Sequence, residues 1–352
     1  MQDQTSGAQR GQSKPRKKKI AVLTTGGTIG SLLGDDEISI EASGETLKGR
    51  LGELAARVET DIAIYPVSNV ASPNLEPEDW TAFSSQIATC RAQGIDRFVL
   101  THGTDTLHYT AAFLSLQFQG HDVRVCITGA FFPINDPRSD TNANVVSAFQ
   151  AATDDRIKDG VYAAFADRMT GDLAVVPGID LMPPLYDEPA FRSVFDKAPD
   201  VTNTVDHADS LFNQINWPGP RSIITSAQLA HAKGRVAAGR LYPGMDMRIF
   251  QTLEKHATLI LEGYHSGTGT ARRLPTGIRA LIETRPDLTI CLASIPSPSV
   301  PVPYEASRIL SDAGVRVYRD LPPHLLYVSA LAGIAEGKSG PEALEMYRNY
   351  RI

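Results

Sequence analysis

The sequence predicts an α/β protein in which a mainly parallel sheet flanked by helices is followed by a second, smaller α/β domain. Three observations favour this class. Short apolar, β-rich runs alternate with longer helical stretches, glycine-containing polar clusters follow the strands, and 352 residues exceed what one simple core supports.

Five strands and four helices are predicted between Ile20 and about Ala166. The strands are KIAVLT, DIAIYPV, DRFVLT, VRVCIT and VYAAFA, and the helices are GETLKGRLGELAARV, EPEDWTAFSSQIATCRAQG, TLHYTAAFLSLQF and TNANVVSAFQAATDD. Strands that alternate with helices of this length imply βαβ units and a parallel sheet covered on both faces.

The alternation stops between Pro183 and Pro220, where Pro, Asp and Asn with isolated aromatic residues predict an interdomain linker. It resumes with the strands RVAAGRLYP, ATLILEGY, DLTICLAS and VRVYRD and the helices GMDMRIFQTLEKH, YEASRILSDAG and GPEALEMYRNY. We therefore predict a disordered basic tail over 1–19, an N-terminal domain over 20–182, a linker over 183–220 and a C-terminal domain over 221–352.

The composition is that of an ordinary soluble protein and disfavours several function classes. The net charge is −6 and basic residues cluster only in the tail KPRKKK, Lys14 to Lys19, so no nucleic-acid partner is expected. No apolar run approaches the roughly 18 residues of a membrane span, and no secretory leader is evident. The three cysteines are scattered, without a C-x-x-C pair. We expect no membrane association and a cytoplasmic location.

Four polar clusters follow the first four strands: TTGGTIGS, SNVASPN, THGTDT and TGAFFPINDPRSD. Because ligands of open α/β sheets bind at the carboxyl ends of the strands, the clusters are expected to converge on one pocket. GGTIGS has neither the G-x-G-x-x-G spacing of a dinucleotide fold nor the lysine of a P-loop. We therefore expect neither a cofactor nor a metal.

The hydroxyls of the first and third clusters indicate nucleophilic chemistry. Thr25 and Thr28 flank two glycines whose backbone N–H groups can stabilise an oxyanion, and a threonine attacks when a base removes its proton. Thr104 and Asp105 add a second hydroxyl and a carboxylate. Taken alone, either would more commonly cap the following helix; beside the glycine loop of a neighbouring strand, the catalytic interpretation is favoured.

TTGGTIGS together with HGTDTLHYTA resembles the two signature motifs of the bacterial-type L-asparaginase/glutaminase family. ASPNLEPEDW, RSDTNANVVSA and RLYPGMD…LILEGYHSGTG extend the likeness over most of the chain, and the tyrosine of DTLHYTA and the YPGMD turn favour the cytoplasmic type-I branch. The resemblance implies an asparaginase-like fold. It also implies a homodimer or homotetramer, because the family completes each site with residues of a neighbouring subunit.

The resemblance further implies a role for each motif residue. Thr25 would attack the side-chain amide carbon of asparagine, or of a related small amide, and form an acyl-enzyme. Thr104 would orient or activate the attacking water. Asp105 would accept the substrate α-ammonium, and Ser72, with Pro73 beside it, would bind the α-carboxylate.

The chain departs from the family pattern at four places. The segment Leu32 to Gly44 has no tyrosine to contact the nucleophile, and Phe165 to Asp180 has no lysine to pair with the aspartate. Pro73 stands where glutamine or an acid is usual, and Thr268 where asparagine is usual. A cation lowers the cost of deprotonating a threonine, so losing the lysine predicts slow chemistry or another base.

His108, His265 and Arg168 are candidates to replace the lysine, although a structural role is the prediction for each because nothing fixes a partner for it. Three functions stay open. The first is asparagine hydrolysis. The second is hydrolysis of another amide, such as glutamine, a substituted amide or an aminoacyl-tRNA amidation substrate. The third is a non-catalytic or weakly active protein that binds an amino acid.

Overall fold

The computed structural model describes residues 19–40, 44–118, 120–167, 170–184, 191–193, 220–294, 303–319 and 321–346. The predicted basic tail, apart from Lys19, and most of the predicted linker lie outside these residues. The division into two domains therefore stays a prediction.

The strands, in chain order, are β1 Lys19–Thr24, β2 Ser31–Leu33, β3 Ile38–Ile40, β4 Asp61–Pro66, β5 Arg97–Thr101, β6 Arg124–Thr128, β7 Gly160–Ala166, β8 Leu173–Pro177, β9 Leu181–Met182, β10 Arg192–Ser193, β11 Val236–Arg240, β12 Thr258–Glu262, β13 Thr289–Ala293 and β14 Arg316–Tyr318. The α-helices are α1 Glu45–Arg57, α2 Pro77–Ala92, α3 Leu107–Phe118, α4 Thr141–Thr153, α5 Ser226–Lys233, α6 Ile278–Thr284, α7 Glu305–Asp312, α8 Pro323–Ala335 and α9 Gly340–Glu345. Short 3-10 turns cover Thr28–Gly30, Ser72–Asn74, Gly178–Asp180 and Met247–Phe250.

Two sheets carry the fold. The larger has the strand order β4–β1–β5–β6–β7–β8 and is parallel except for β8, which runs antiparallel to β7 at one edge. The smaller is parallel throughout, in the order β11–β12–β13–β14. The predicted fold class is confirmed, and every strand predicted in either half is present.

The register of the larger sheet places the predicted motifs at one edge. Thr24, the last residue of β1, is level with Pro66 at the end of β4 and with Thr101 at the end of β5. The loops that follow these three strands therefore start side by side.

Both faces of the larger sheet are buried. Ala21 and Leu23 of β1 pack on one side with α2 and α3, whereas Ile20 and Val22 pack on the other side with α1 and α4. This two-residue alternation, with apolar residues on both faces, explains why the strand reads as a continuous apolar run.

Helix α8 was not predicted from the sequence, yet it is central to the packing. Its residues are almost all buried, and Leu325 and Leu326 belong to one apolar core with Phe113 of α3 and Ile260 of β12. The helix packs on α3 and on β11 and β12. A single core thus joins the helices of the larger sheet to the smaller sheet.

One predicted helix is wrong. GMDMRIFQTLEKH forms only the 3-10 turn Met247–Phe250 followed by further turns. Gly244 has a positive φ of 84°, and the Asp246 carboxylate accepts a hydrogen bond from the N–H of Arg248. A short acidic side chain that binds a nearby backbone N–H competes with helix propagation, which accounts for the difference.

The antiparallel hairpin β2–β3, Ser31 to Ile40, overlaps the segment that begins at Leu32, and the sequence pattern did not predict it. Within the described ranges, none of the helices is both long and apolar enough to cross a membrane.

Candidate active site

The loop after β1 turns through two glycines that pack against neighbouring backbone. Gly26 and Gly27 have φ values of 100° and 84°. A Cβ on Gly26 would lie 2.6 Å from the backbone N and O of Val70, and one on Gly27 would lie 2.4 Å from the backbone N of Gly103. Both the left-handed conformation and the close approach require glycine. The loop is thereby packed between the loops that follow β4 and β5.

Thr25 lies at the buried start of this loop. Its side chain is 1% exposed, and Oγ1 donates to the carbonyl of Thr101 at 2.7 Å. The carbonyl of Thr25 accepts from the N–H of Val70 at 3.0 Å and from the Ser68 hydroxyl at 2.9 Å. A backbone carbonyl is not a base that could remove the Thr25 proton, so this hydroxyl must exchange partners before it can attack.

Ser72 reaches the same place from the loop after β4. It is 3% exposed, and a Cβ on Gly103 would lie 2.4 Å from Ser72 Oγ. Thr106 Oγ1 donates to the carbonyl of Ser72 at 2.9 Å, which holds this loop to the one after β5. Pro73, by contrast, is exposed.

Thr104 and Asp105 complete the cluster. Thr104 is 9% exposed, and its methyl group lies 3.4 Å from where a Cβ on Gly129, after β6, would lie. Asp105 is exposed just before α3. A solvated carboxylate at the rim of a site is suited to accept a ligand ammonium. The loops after β1, β4, β5 and β6 thus converge as the sequence predicted, bringing Thr25, Ser72 and Thr104 into adjoining loops.

His102 is buried beside the loop that carries Thr104 and supports it through both ring nitrogens. This role was not predicted from the sequence. Its Nδ1 lies 2.7 Å from the carbonyl O of Gly103, and its Nε2 lies 2.8 Å from Thr110 Oγ1. Because a carbonyl only accepts, Nδ1 carries the proton and Nε2 accepts from the Thr110 hydroxyl. Burial lowers the pKa of His102 to about 4, so the imidazole is neutral near pH 7.

The loop after β6 is held by Asp140 and Asn144, which sequence reasoning also did not single out. Asp140 Oδ1 accepts from the N–H of Phe131 at 3.0 Å, and its Oδ2 accepts from the Asn144 amide at 2.8 Å. The same amide group donates to the carbonyl of Gly129 at 2.9 Å. The sequence signal for this role is that Asp140 directly precedes the predicted helix and Asn144 lies in its first turn.

The three candidate replacements for the family lysine differ in where they lie. His108 is buried, and its ring centroid lies 4.7 Å from that of His324 of α8. Burial, with smaller contributions from His324 and His102, lowers the pKa of His108 well below its usual value, so it carries no positive charge at neutral pH. His265 is exposed in the turn after β12. Arg168 lies outside the described residues.

No group of three or more His, Cys, Asp or Glu side chains that could hold a metal ion occurs in the part of the chain that the structure describes. The loops at this edge of the sheet bring together buried hydroxyls, backbone N–H groups and the exposed carboxylate of Asp105.

Comparison with known proteins agrees with this geometry. The family model described as "Asparaginase, N-terminal" matches residues 19–180. The L-asparaginase of Thermococcus kodakarensis is 33% identical over 270 residues, covering 71% of this chain and 72% of that protein. The chain resembles its solved structure with a TM-score of 0.70 at 22% identity, over 94% of this chain and 96% of that one. A probable cytoplasmic L-asparaginase from Campylobacter jejuni gives a TM-score of 0.69 at 21% identity, over 95% and 100% of the two chains. At these identities the two structural matches show the shared fold alone.

Other relatives are subunits of glutamyl-tRNA(Gln) amidotransferases. The Methanobrevibacter smithii protein is 34% identical over 147 residues, which is 40% of this chain and 32% of that protein. The Methanococcus vannielii protein is 26% identical over 257 residues, or 72% of this chain and 59% of that protein. The chain thus matches about a third of the first and less than two thirds of the second. The motif loops, the fold and the Thermococcus kodakarensis relative agree, and the chain belongs to the asparaginase family of amidohydrolases.

Proposed function

We propose that this protein hydrolyses the side-chain amide of asparagine, or of a related small amide, through an acyl-enzyme on Thr25. The observation that carries the proposal is the packing of the Thr25 loop, through Gly27 and Gly103, directly onto the loop of Thr104. Two hydroxyl-bearing loops held this closely offer a nucleophile and a second hydroxyl for the water that must follow it.

In the proposed reaction, Thr25 Oγ1 attacks the amide carbon and the C–N bond breaks. The nitrogen leaves as ammonia with the proton from Thr25. Water positioned by Thr104 then attacks the ester, releasing the carboxylate and returning a proton to Thr25. Backbone N–H groups of the glycine loop are the candidates to stabilise the oxyanion of each intermediate. Asp105 would hold the substrate α-ammonium and Ser72 its α-carboxylate.

We expect the absence of the family lysine to slow hydrolysis of the amide. Thr25 donates to the carbonyl of Thr101, and Phe165 to Asp180 contains no lysine that could pair with the carboxylate of Asp105. Removing one member of a proton relay costs about 100- to 10,000-fold in rate. We therefore expect weak turnover of free asparagine, or a different amide whose own charged group assists the reaction.

Two alternatives are distinct enough to test. The relatives that are tRNA amidotransferase subunits favour an amide substrate other than free asparagine, but the net charge of −6 offers no general attraction for nucleic acid. An amino-acid-binding protein without activity would explain the departures from the family pattern. The proposed location is the cytoplasm, by analogy with the probable cytoplasmic L-asparaginase of Campylobacter jejuni.

The deciding experiment is ammonia release from asparagine, glutamine and substituted amides, with Thr25→Ala and Thr25→Ser as a matched pair. We expect Thr25→Ala to lose all release and Thr25→Ser, which keeps the hydroxyl, to retain part of it. Release that persists in Thr25→Ala would contradict the assigned nucleophile. No release from any amide by the wild type, together with measurable asparagine binding, would favour the binding protein.

The proposed assembly is a homodimer or homotetramer whose copies meet at the carboxyl end of the smaller sheet. Tyr242 and Tyr264 follow β11 and β12, Tyr304 directly precedes α7, and the three are 57%, 37% and 51% exposed. Aromatic side chains grouped at one sheet end are typical of a surface that another chain covers. A second copy is the occupant we propose, because the resemblance implies that each site receives residues from a neighbour.

A further inference from the structure

The hairpin β2–β3 is too small to be stable by itself. Each strand has three residues, and two of the hairpin's apolar side chains face water: Leu33 is 43% exposed and Ile38 57% exposed. The turn between the strands carries three acidic residues in succession, Asp35, Asp36 and Glu37. An isolated two-stranded hairpin is at best marginally stable in water, so other contacts must hold it in place.

Those contacts come from the loop after β6, chiefly from one side-chain amide. The N–H of Leu33 donates to Asn135 Oδ1 at 2.7 Å, and Asn135 Nδ2 donates to the carbonyl of Leu33 at 3.0 Å. The N–H of Ile134 donates to the carbonyl of Ser31 at 3.2 Å. Ser31 and Leu33 point their backbone groups to the same edge of β2, because such groups alternate along a strand. The Asn135 amide therefore acts as one residue of a third strand.

The loop that carries Asn135 is itself held by hydrogen bonds. Pro133 is buried, and its carbonyl accepts from the N–H of Asp136 at 3.0 Å. The Asp140 carboxylate binds the N–H groups of Phe131 and Phe132 at 3.0 and 3.3 Å. The loop is thus fixed on both sides of Asn135.

The hairpin is coupled to the nucleophile loop at its other end. Ser31 Oγ donates to the carbonyl of Gly27 at 2.9 Å, and the N–H of Gly30 donates to the same carbonyl at 3.0 Å. The residue that begins β2 therefore also restrains the glycine that packs against Gly103. Ser31 therefore links β2 to the loop of Thr25.

We propose that Asn135 is a positioning residue that keeps hairpin β2–β3 and the adjoining Thr25 loop in the binding-competent arrangement. The effect on catalysis rests on the proposed amidohydrolase function, whereas the restraint on the hairpin does not. Without the Asn135 amide, only a fraction of the molecules would hold the hairpin in the binding-competent arrangement. The apparent affinity for substrate is reduced by that fraction. The geometry after binding is unchanged, because Gly26 and Gly27 are also held by Val70 and Gly103.

The test compares Asn135→Ala with Asn142→Ala, an exposed asparagine on α4 that serves as the matched control. Two solvent-exposed hydrogen bonds are lost, so we expect backbone amides of residues 31–40 to exchange with deuterium about tenfold faster or more. We expect KM for asparagine to rise about 5- to 20-fold while kcat changes less than about threefold. Asn135→Asp keeps the acceptor for Leu33 and should be intermediate.

Unchanged exchange in Asn135→Ala would overturn the restraint itself. Faster exchange with unchanged KM, or a loss confined to kcat, would overturn the positioning role. If the wild type releases no ammonia from any amide, the proposed function fails instead, and the Kd for asparagine measured by calorimetry takes the place of KM. A Kd that is the same in Asn135→Ala and wild type would then also overturn the positioning role.

Discussion

The carboxyl ends of the parallel strands in the two sheets differ in how their loops meet. At the six-stranded sheet, neighbouring loops pack backbone against backbone at Gly27 and Gly103, and the hydroxyls of Thr25 and Ser72 belong to side chains only 1% and 3% exposed. At the four-stranded sheet, the loops carry exposed tyrosines, and the hydroxyls of Ser266 and Thr268 bind each other at 3.0 Å.

The difference shows what a parallel sheet needs in order to become a site. Strand ends alone bring loops to one edge, and both sheets do this. At the first sheet the close approach is between two backbones, 2.4 Å for a Cβ on Gly27, whereas at the second a Cβ on Gly267 would meet the side chain of Ser294 at 3.1 Å. The second sheet end carries the exposed tyrosines of the proposed interface. The following predictions test this contrast, beginning with the largest expected effect.

Gly27 and Gly244 both have a φ of 84°, and they differ in what surrounds them. A Cβ on Gly27 would lie 2.4 Å from backbone of Gly103, whereas nothing lies within 4 Å of one on Gly244. We expect Gly27→Ala to destabilise the protein by about 3 kcal/mol or more and to reduce ammonia release about 100-fold. Gly244→Ala should cost only the backbone strain, about 1 kcal/mol. Equal losses in denaturant unfolding would show that the tight approach is unimportant.

The buried histidines near the first site predict a loss of stability in mild acid. Burial lowers the pKa of His102 to about 4 and that of His324 to about 3. Between about pH 6.5 and pH 4 the unfolded chain therefore binds protons that the folded chain does not, so stability falls as pH falls through this range. The loss should be on the order of 3 kcal/mol for His102 alone.

Denaturant unfolding of His324→Gln across this pH range checks the assignment. Its stability should depend less on pH than that of the wild type, whereas His231→Gln, at an exposed position on α5, should leave the dependence unchanged. If the stability of all three proteins depends on pH in the same way, His324 is not a source of the acid sensitivity.

The exposed tyrosines of the second sheet end give the smallest expected effect. If a second copy covers them, Tyr264→Glu combined with Tyr304→Glu should weaken self-association at least about tenfold, because charged side chains are depleted in interface cores. Ile249→Glu, at a residue 59% exposed in the 3-10 turn Met247–Phe250, is the control. Sedimentation of the wild type as a monomer would contradict the interface and leave these tyrosines unexplained.

The parts that sequence predicted are those whose signal is local. β1 and the glycine loop after it are marked by an apolar run and by residues with special backbone freedom, so both were found. Helix α8 was missed because PHLLYVSALAGIA is apolar on almost every side and has no amphipathic period to mark it. A helix of this kind is recognisable only when the surfaces on both sides of it are known.

The sequence predicted that the loops carrying Thr25, Ser72 and Thr104 come together, but it did not predict the residues that support them. His102 binds Thr110 through a loop and a helix, and Asn135 binds Leu33 across 102 positions of sequence. The His102–Thr110 bond spans only eight positions, from the end of β5 into α3. The Asn135–Leu33 bond instead depends on how loops from different strands come together, which no spacing in the sequence encodes. The hairpin that Asn135 holds was missed for the same reason.

The place of α8 in the chain has a consequence for synthesis on the ribosome. Its leucines fill the core beside α3, but they are translated only after all the strands of the smaller sheet. The nascent first half can form its sheet while the apolar surface of α3 that α8 will cover is still open to water. The first half can therefore bury this surface only once α8 has been made, and until then the growing chain presents a hydrophobic surface that chaperones recognise.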